Sequence, residues 1–252
     1  SDVCSSDLAP CPSNEPGPPM NAESFVLDTA ALRRVGGRLG SNPAGVFEDA
    51  AGKRYYVKSL ESPALARNEY LAAALYALAG APTLRYVRTT DPCAVATEFV
   101  ALDKKLVAQL NEPERRAAQH WLGVHAWTAN WDAAGYTGDN QGVAAGRVLT
   151  LDVGGALEFR AQGDPKGKAF GIQVGELDAL RTDTDNPHAV RLFGDMDAVA
   201  VRAAIEVVAR IPDAQICQAI AEHGGSAALA DKLLARKADL TRRMTAPAST
   251  EA

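Results

Sequence analysis

The chain has 252 residues, a net charge of −5 and an apolar fraction of 47%, the composition of an ordinary globular protein. The acidic balance argues against a nucleic-acid partner, because neutralising phosphates needs a basic excess. No apolar run approaches the roughly 20 residues that span a bilayer, so neither a membrane span nor a secretory leader is expected.

The first eight residues, Ser1-Asp2-Val3-Cys4-Ser5-Ser6-Asp7-Leu8, back-translate with ordinary codons to a common sequencing-adapter end. They are expected to be read-through and are left out of fold reasoning. Residues 9–19, rich in proline and small polar residues, cannot bury a core. A tail is therefore expected over 1–22, with Met20 as one candidate start and a linker from a longer protein as the other. About 230 residues remain, enough for one large domain or two small lobes. Cys11, Cys93 and Cys217 lie far apart without C-x-x-C spacing, which points to a reduced, cytoplasmic protein with no disulfide framework or structural zinc. His120 and His125 are five apart, do not stack on one helical face, and read as core or surface residues.

From residue 23 to 101 the signals favour short strands around one helix. Val46-Phe47-Glu48 and Arg54-Tyr55-Tyr56-Val57-Lys58 flank a five-residue turn and predict a β-hairpin. Ser62-Pro63 predicts a helix start, serine as N-cap and proline in the first turn, and Gly80 predicts its end. Leu84–Val87 and Ala94–Val100 read as two further strands, separated by Asp91-Pro92. From 102 to 245 the character is helical. Glu112-Pro113 opens a run predicted to reach Trp131, with His120, Trp121, Val124 and Trp127 on a buried face. A polar loop over Asn130–Gly142 precedes a short strand, Val148-Leu149-Thr150-Leu151, that ends at Asp152. Gly154-Gly155 and residues 162–168 predict a mobile loop. About four helices follow, broken at Asn186-Pro187, Gly194, Pro212 and Gly224-Gly225, and residues 246–252 read as a tail.

The polar residues that stand out fall in an order suited to phosphoryl transfer. That chemistry needs a backbone cover for phosphates, a fixed lysine, oxygen ligands for magnesium and a carboxylate near the attacking group. Gly40-Ser41-Asn42 begins a glycine-bearing turn, closed by Gly45, whose N–H groups are suited to phosphate oxygens. Lys58 ends an apolar strand, where its ammonium needs a partner, and Glu69 on the next helix is the candidate. Asp132, Asp139 and Asn140 share one loop. Asn140 and Asp152 would supply hard oxygens to magnesium, and Asp132 would receive or orient the proton of the attacking hydroxyl. Asp and Asn also populate turns for purely conformational reasons. Lys166 and Lys168 read either as groups that steer an anionic substrate or as a solvated loop.

These residues resemble the protein-kinase-like superfamily, nearest its HipA and phosphoinositide-kinase branch. Tyr56-Val57-Lys58 is similar to the nucleotide-binding lysine strand, and Arg67-Asn68-Glu69 to the start of the helix bearing its glutamate partner. Glu98-Phe99-Val100 falls where the adenine-reading hinge belongs. Asn130-Trp131-Asp132 with Asp139-Asn140 resembles a catalytic loop, and Asp152-Val153-Gly154 a metal-binding turn. The resemblance implies an α+β fold, with a small β-rich lobe over 23–101 bearing one helix and a larger, mainly helical lobe over 102–245. It implies ATP and Mg2+ as cofactors and a protein, lipid or small-molecule hydroxyl as acceptor. Roles for Glu98 and Val100 in holding the nucleotide, and for Asp132 and Asp139 in catalysis, come with it. The pattern departs from the family at one point: Asp132 and Asn140 are eight apart instead of five, and Gly135 stands where five-residue spacing puts the acid. An insertion, a part for Asp139, or a degraded base would each account for that. Two other outcomes stay open: AMP transfer by the same residues, and a pseudokinase-like interaction module.

Overall fold

The computed structural model describes residues 25–38 and 43–245. The expected tails at 1–22 and 246–252, and the turn Gly40-Ser41-Asn42, lie outside the described residues. Five strands, β1 (Arg33–Gly36), β2 (Ala44–Glu48), β3 (Arg54–Ser59), β4 (Tyr86–Val87) and β5 (Ala94–Glu98), form an antiparallel sheet in the order β1-β2-β3-β5-β4. The β2–β3 hairpin forms as predicted, pairing Ala44 with Lys58 and Glu48 with Arg54. Its loop is held by Asp49 Oδ1, which accepts from the N–H groups of Ala51 and Lys53, both at 2.9 Å. β3 is the central strand, so Lys58 is delivered to the middle of the sheet.

Helix α1 (Pro63–Leu78) also starts and stops where the sequence indicates. Ser62 Oγ accepts from Leu65 N, and Gly80 leaves the helix at φ +78°. The helix is buried over most of its circumference, which its run of Ala and Leu permits. Leu71, Leu75 and Tyr76 join the large core made with Trp127, Leu192, Phe193, Ile216 and Leu233. A smaller core of Leu27, Tyr55, Val57, Val87, Ala94 and Ala96 lies on the sheet.

The rest is mainly helical: α2 (Glu112–Gln119), α3 (Leu122–Trp127), the ribbon β6 (Gln141–Ala144) and β7 (Arg147–Thr150), then α4 (Glu176–Thr182), α5 (Pro187–Phe193), α6 (Ala198–Ala209), α7 (Asp213–Glu222) and α8 (Ala227–Thr245). The four predicted breaks separate five helices, not four. The single helix expected from Glu112 to Trp131 is two. The chain leaves helical geometry at Trp121, and α3 then lays Gly123 against α6 so closely that a Cβ would sit 2.1 Å from the Ala204 carbonyl oxygen. His120, expected on the buried face, is exposed, whereas His125 is buried. The expected mobile loop at 162–168 is tied down by Arg160 N to Asp164 O and Lys166 N to Glu158 O, each 2.8 Å. No helix among the described residues is long and apolar enough to cross a membrane.

Candidate active site

Lys58 is 8% exposed, and burying its ammonium requires opposite charge close by. Two carboxylates supply it: Glu69 Oε1 at 2.7 Å from α1 and Asp152 Oδ2 at 2.9 Å from the turn after β7. Burial alone would depress the ammonium, but Asp152 and Glu69 outweigh it and hold Lys58 above its ordinary range. Asp152 is likewise pulled below the usual carboxylate range: burial works upward, and Lys58 and the Gly154 N–H overcome it. That N–H donates to Asp152 Oδ1 at 2.8 Å. A Cβ on Gly154 would meet Glu69 Oε2 at 2.9 Å and Asp152 Oδ1 at 3.2 Å, so a side chain here would press on both acids.

The catalytic-loop candidates converge despite their long spacing. Asn140 Nδ2 donates to the Asp132 backbone oxygen at 2.7 Å and to Asp132 Oδ2 at 3.0 Å. The intervening residues fold back through Gly135 (φ +84°) and Gly138 (φ +79°), conformations that L side chains rarely adopt. The eight-residue separation of Asp132 and Asn140 is thus bridged by two glycine turns. Burial and repulsion from Asp152 push the Asp132 carboxyl up to about 6, against the hydrogen bond from Asn140. Asp139 is exposed and packs beside Gly135, with no hydrogen bond to Asp132 among those of the described residues.

A cavity of about 590 Å³ lies against these groups. Tyr56, Leu84, Phe99, Leu102 and Leu106 give it apolar walls, and Lys58, Asp139, Asn140 and Asp152 give it a polar part. Glu98 and Val100 both line it. The Glu98 carboxylate is turned to Lys53 and Arg85, and its N–H donates to Arg85 O at 2.9 Å, which leaves the backbone carbonyl as the group available to a ligand. Thr97 is also among the lining residues, and its Oγ1 is buried without a hydrogen-bond partner among the described residues.

Several contributing residues were given no role of their own by the sequence. Asn68, next to Glu69, donates to Ala156 O at 2.9 Å and accepts from Glu158 N at 3.1 Å, fixing the segment after Asp152. Asn130 accepts from Asp132 N at 3.2 Å and donates to Tyr76 OH at 3.0 Å, and that hydroxyl meets His125 Nδ1 at 2.8 Å. Tyr86 donates to Glu69 Oε1 at 3.2 Å. The available signal was adjacency: both asparagines lie within two positions of a candidate acid. Lys166 fits neither expectation; it is buried and bonded to backbone oxygens, while Lys168 is exposed.

The donor set suits magnesium held jointly with phosphate. No cluster of three or more His, Cys, Asp or Glu suited to a metal exists among the described residues. Magnesium, however, usually takes one or two protein carboxylates and completes its shell with phosphate and water. Asp152 and the Asn140 amide oxygen are hard ligands of that kind, and the repulsion felt by Asp132 is what a divalent cation relieves.

No protein-family model matches the sequence, and no curated protein sequence matches it. Among solved structures, the Helicobacter pylori proinflammatory kinase CtkA is similar at a TM-score of 0.51 and 11% identity, over 87% of this chain and 94% of that one. An aminoglycoside phosphotransferase from Alicyclobacillus acidocaldarius aligns over 92% of this chain and 98% of that one, at 15% identity and a TM-score of 0.31. The CtkA likeness is one of fold alone: the chain shares the α+β architecture of that kinase.

Proposed function

We propose that the protein is an ATP- and Mg2+-dependent phosphotransferase of the HipA and phosphoinositide-kinase-like branch, moving the γ-phosphate to a hydroxyl, with a protein hydroxyl as the first candidate. The sheet region over 23–101 acts as the nucleotide-binding lobe and the region over 102–245 as the catalytic lobe. One observation carries the reading: Lys58 is fixed between Glu69 at 2.7 Å and Asp152 at 2.9 Å at the edge of a cavity that Asn140 also lines.

Lys58 holds nucleotide phosphates, and Glu69 keeps it from turning away. Backbone groups of Glu98 and Val100 receive the base, and Gly40, Ser41 and Asn42 are the candidate phosphate contacts. Asn140 and Asp152 hold magnesium, which neutralises charge that develops on the phosphates. Asp132 accepts the proton of the acceptor hydroxyl, and Asp139 assists through charge. Catalysis by positioning and electrostatics needs little more.

A second reading has support in one contact. Asp132 Oδ2 already accepts from Asn140, which weakens it as a base and fits a nucleotide-binding interaction module without turnover. Transfer of AMP would use the same residues. Thermal unfolding with and without ATP and magnesium, beside Asp152→Ala, tests the nucleotide site through the mass-action rise in midpoint. ADP release from MgATP then separates enzyme from module, and no midpoint shift at saturating nucleotide rejects both.

A further inference from the structure

Lys166 is only 4% exposed, and no carboxylate pairs with it directly among the described residues. Its Nζ donates to three backbone oxygens: Ala129 at 2.8 Å, Gly155 at 2.7 Å and Leu157 at 2.9 Å. An ammonium has three donors and no acceptor, so the three carbonyls use all of its capacity. The rings of Trp131 and Phe170 lie 5.0 and 5.9 Å from the same nitrogen, within cation–π range.

The three carbonyls belong to two loops. Ala129 precedes Asp132 by three residues, and Gly155 and Leu157 follow Asp152. Ala129 (φ 51°) and Leu157 (φ 59°) both occupy the left-handed region, a conformation that disfavours non-glycine residues by about 1–2 kcal/mol each. Something must hold them there. Leu157 N donates to Thr128 O at 2.7 Å, and Lys166 binds the two strained residues' own carbonyls.

We propose that Lys166 is a positioning residue of this site: its ammonium ties the backbone presenting Asp132 to the backbone presenting Asp152 and so sets how the two carboxylates face each other. The functional consequence rests on the reading of those acids given above; the structural clamp does not. Charged groups facing Lys166 are Glu176, Arg236 and Arg160, with Lys232 Nζ 4.5 Å from the Phe170 ring. Burial lowers the ammonium to about 7, Glu176 opposes the fall, and Arg236 and Arg160 add to it. A neutral amine keeps two donors, so one carbonyl is released as pH rises through neutrality and the clamp loosens on the alkaline side.

Hydrogen exchange on the full chain tests the clamp directly. At pH 6, Lys166→Met should speed exchange at least tenfold in two segments together, 129–135 and 154–159, while α6 and α8 keep their wild-type rates. Lys166→Arg, which retains donors, should restore part of the protection. Unchanged rates in those segments, or acceleration spread evenly over the chain, would overturn the proposal. If Lys166→Met does not fold, wild type compared at pH 6 and pH 8.5, after correction for intrinsic exchange, should open the same two segments; equal protection overturns it. With MgATP as probe, Lys166→Met should lower the rate of ADP release at least tenfold. A wild type that releases no ADP would remove the phosphotransferase reading and leave the exchange result to judge the clamp.

Discussion

Lys58 Nζ and Asp152 Oδ2 meet at 2.9 Å across 94 positions of sequence, and the two partners are unequally buried: the lysine side chain is 9% exposed and the aspartate 38%. Glu69, at 2%, is the closed side of the triad. The buried acid is therefore suited to fixing the lysine, and the open acid to meeting a ligand.

Replacing Lys58 should expose that division of labour. Lys58→Met leaves Glu69 buried without its counter-charge, and breaking a buried pair in this way typically destabilises by about 3–5 kcal/mol. In urea titrations the double variant Lys58→Met/Glu69→Leu should regain most of that loss, because the stranded charge is gone. Neither variant should show a nucleotide-dependent rise in melting temperature. A double variant no more stable than the single one would refute the buried-charge account.

Asp132→Asn should separate stability from activity. The amide keeps an oxygen for Asn140 and removes the repulsion from Asp152. The melting temperature should rise, by a stabilisation of about 1 kcal/mol. Turnover of MgATP should fall by about 10²-fold or more, as for loss of a general base. Undiminished turnover would exclude Asp132 as the base.

Gly154→Ala should damage the site without touching the core. Its methyl would press on Glu69 Oε2 and Asp152 Oδ1 together, so the magnesium-dependent part of nucleotide affinity should weaken at least tenfold. Circular dichroism should stay that of wild type.

How much of this was legible depended on whether an element's cause was local. The β2–β3 hairpin, the Ser62 cap and the Lys58–Glu69–Asp152 order follow from turn residues, capping and polar groups in apolar runs. The strand expected at Val148–Leu151 is β7, but its partner β6 was missed because the turn between them is Ala145-Gly146, with Ala145 itself at φ 47°, not one of the usual turn pairs. The break at Trp121 was hidden because its cause is tertiary, the approach of Gly123 to α6. Lys166, between glycines and a proline, read either as a group steering an anionic substrate or as part of a solvated loop; nothing in its neighbours announces three carbonyls from distant turns. Asn140 was legible as a ligand type, while its contact with Asp132 depends on how residues 133–139 fold.

His125 sets a pH dependence of stability. Burial lowers its imidazole to about 3, below the value of 6.5 expected when unfolded. Below pH 6.5 the unfolded chain takes up a proton that the folded chain refuses, so the contribution is full above that pH and is lost as pH falls towards 3. At pH 5 the loss should be about 2 kcal/mol. His125→Gln should flatten this part of the curve; equal slopes for variant and wild type between pH 7 and 5 would contradict it.

Helix α1 lies in the chain between β3 and β4, yet Leu71, Leu75 and Tyr76 are packed into the large core with Trp127, Phe193 and Leu233. The sheet therefore has no way to leave with its own helix intact. A chain severed between β5 and α2 would strand an apolar face on one fragment and a matching trench on the other, so each piece alone should aggregate. Two such fragments, coexpressed, should find each other and reconstitute, and unfolding of the uncut chain should be one event rather than two.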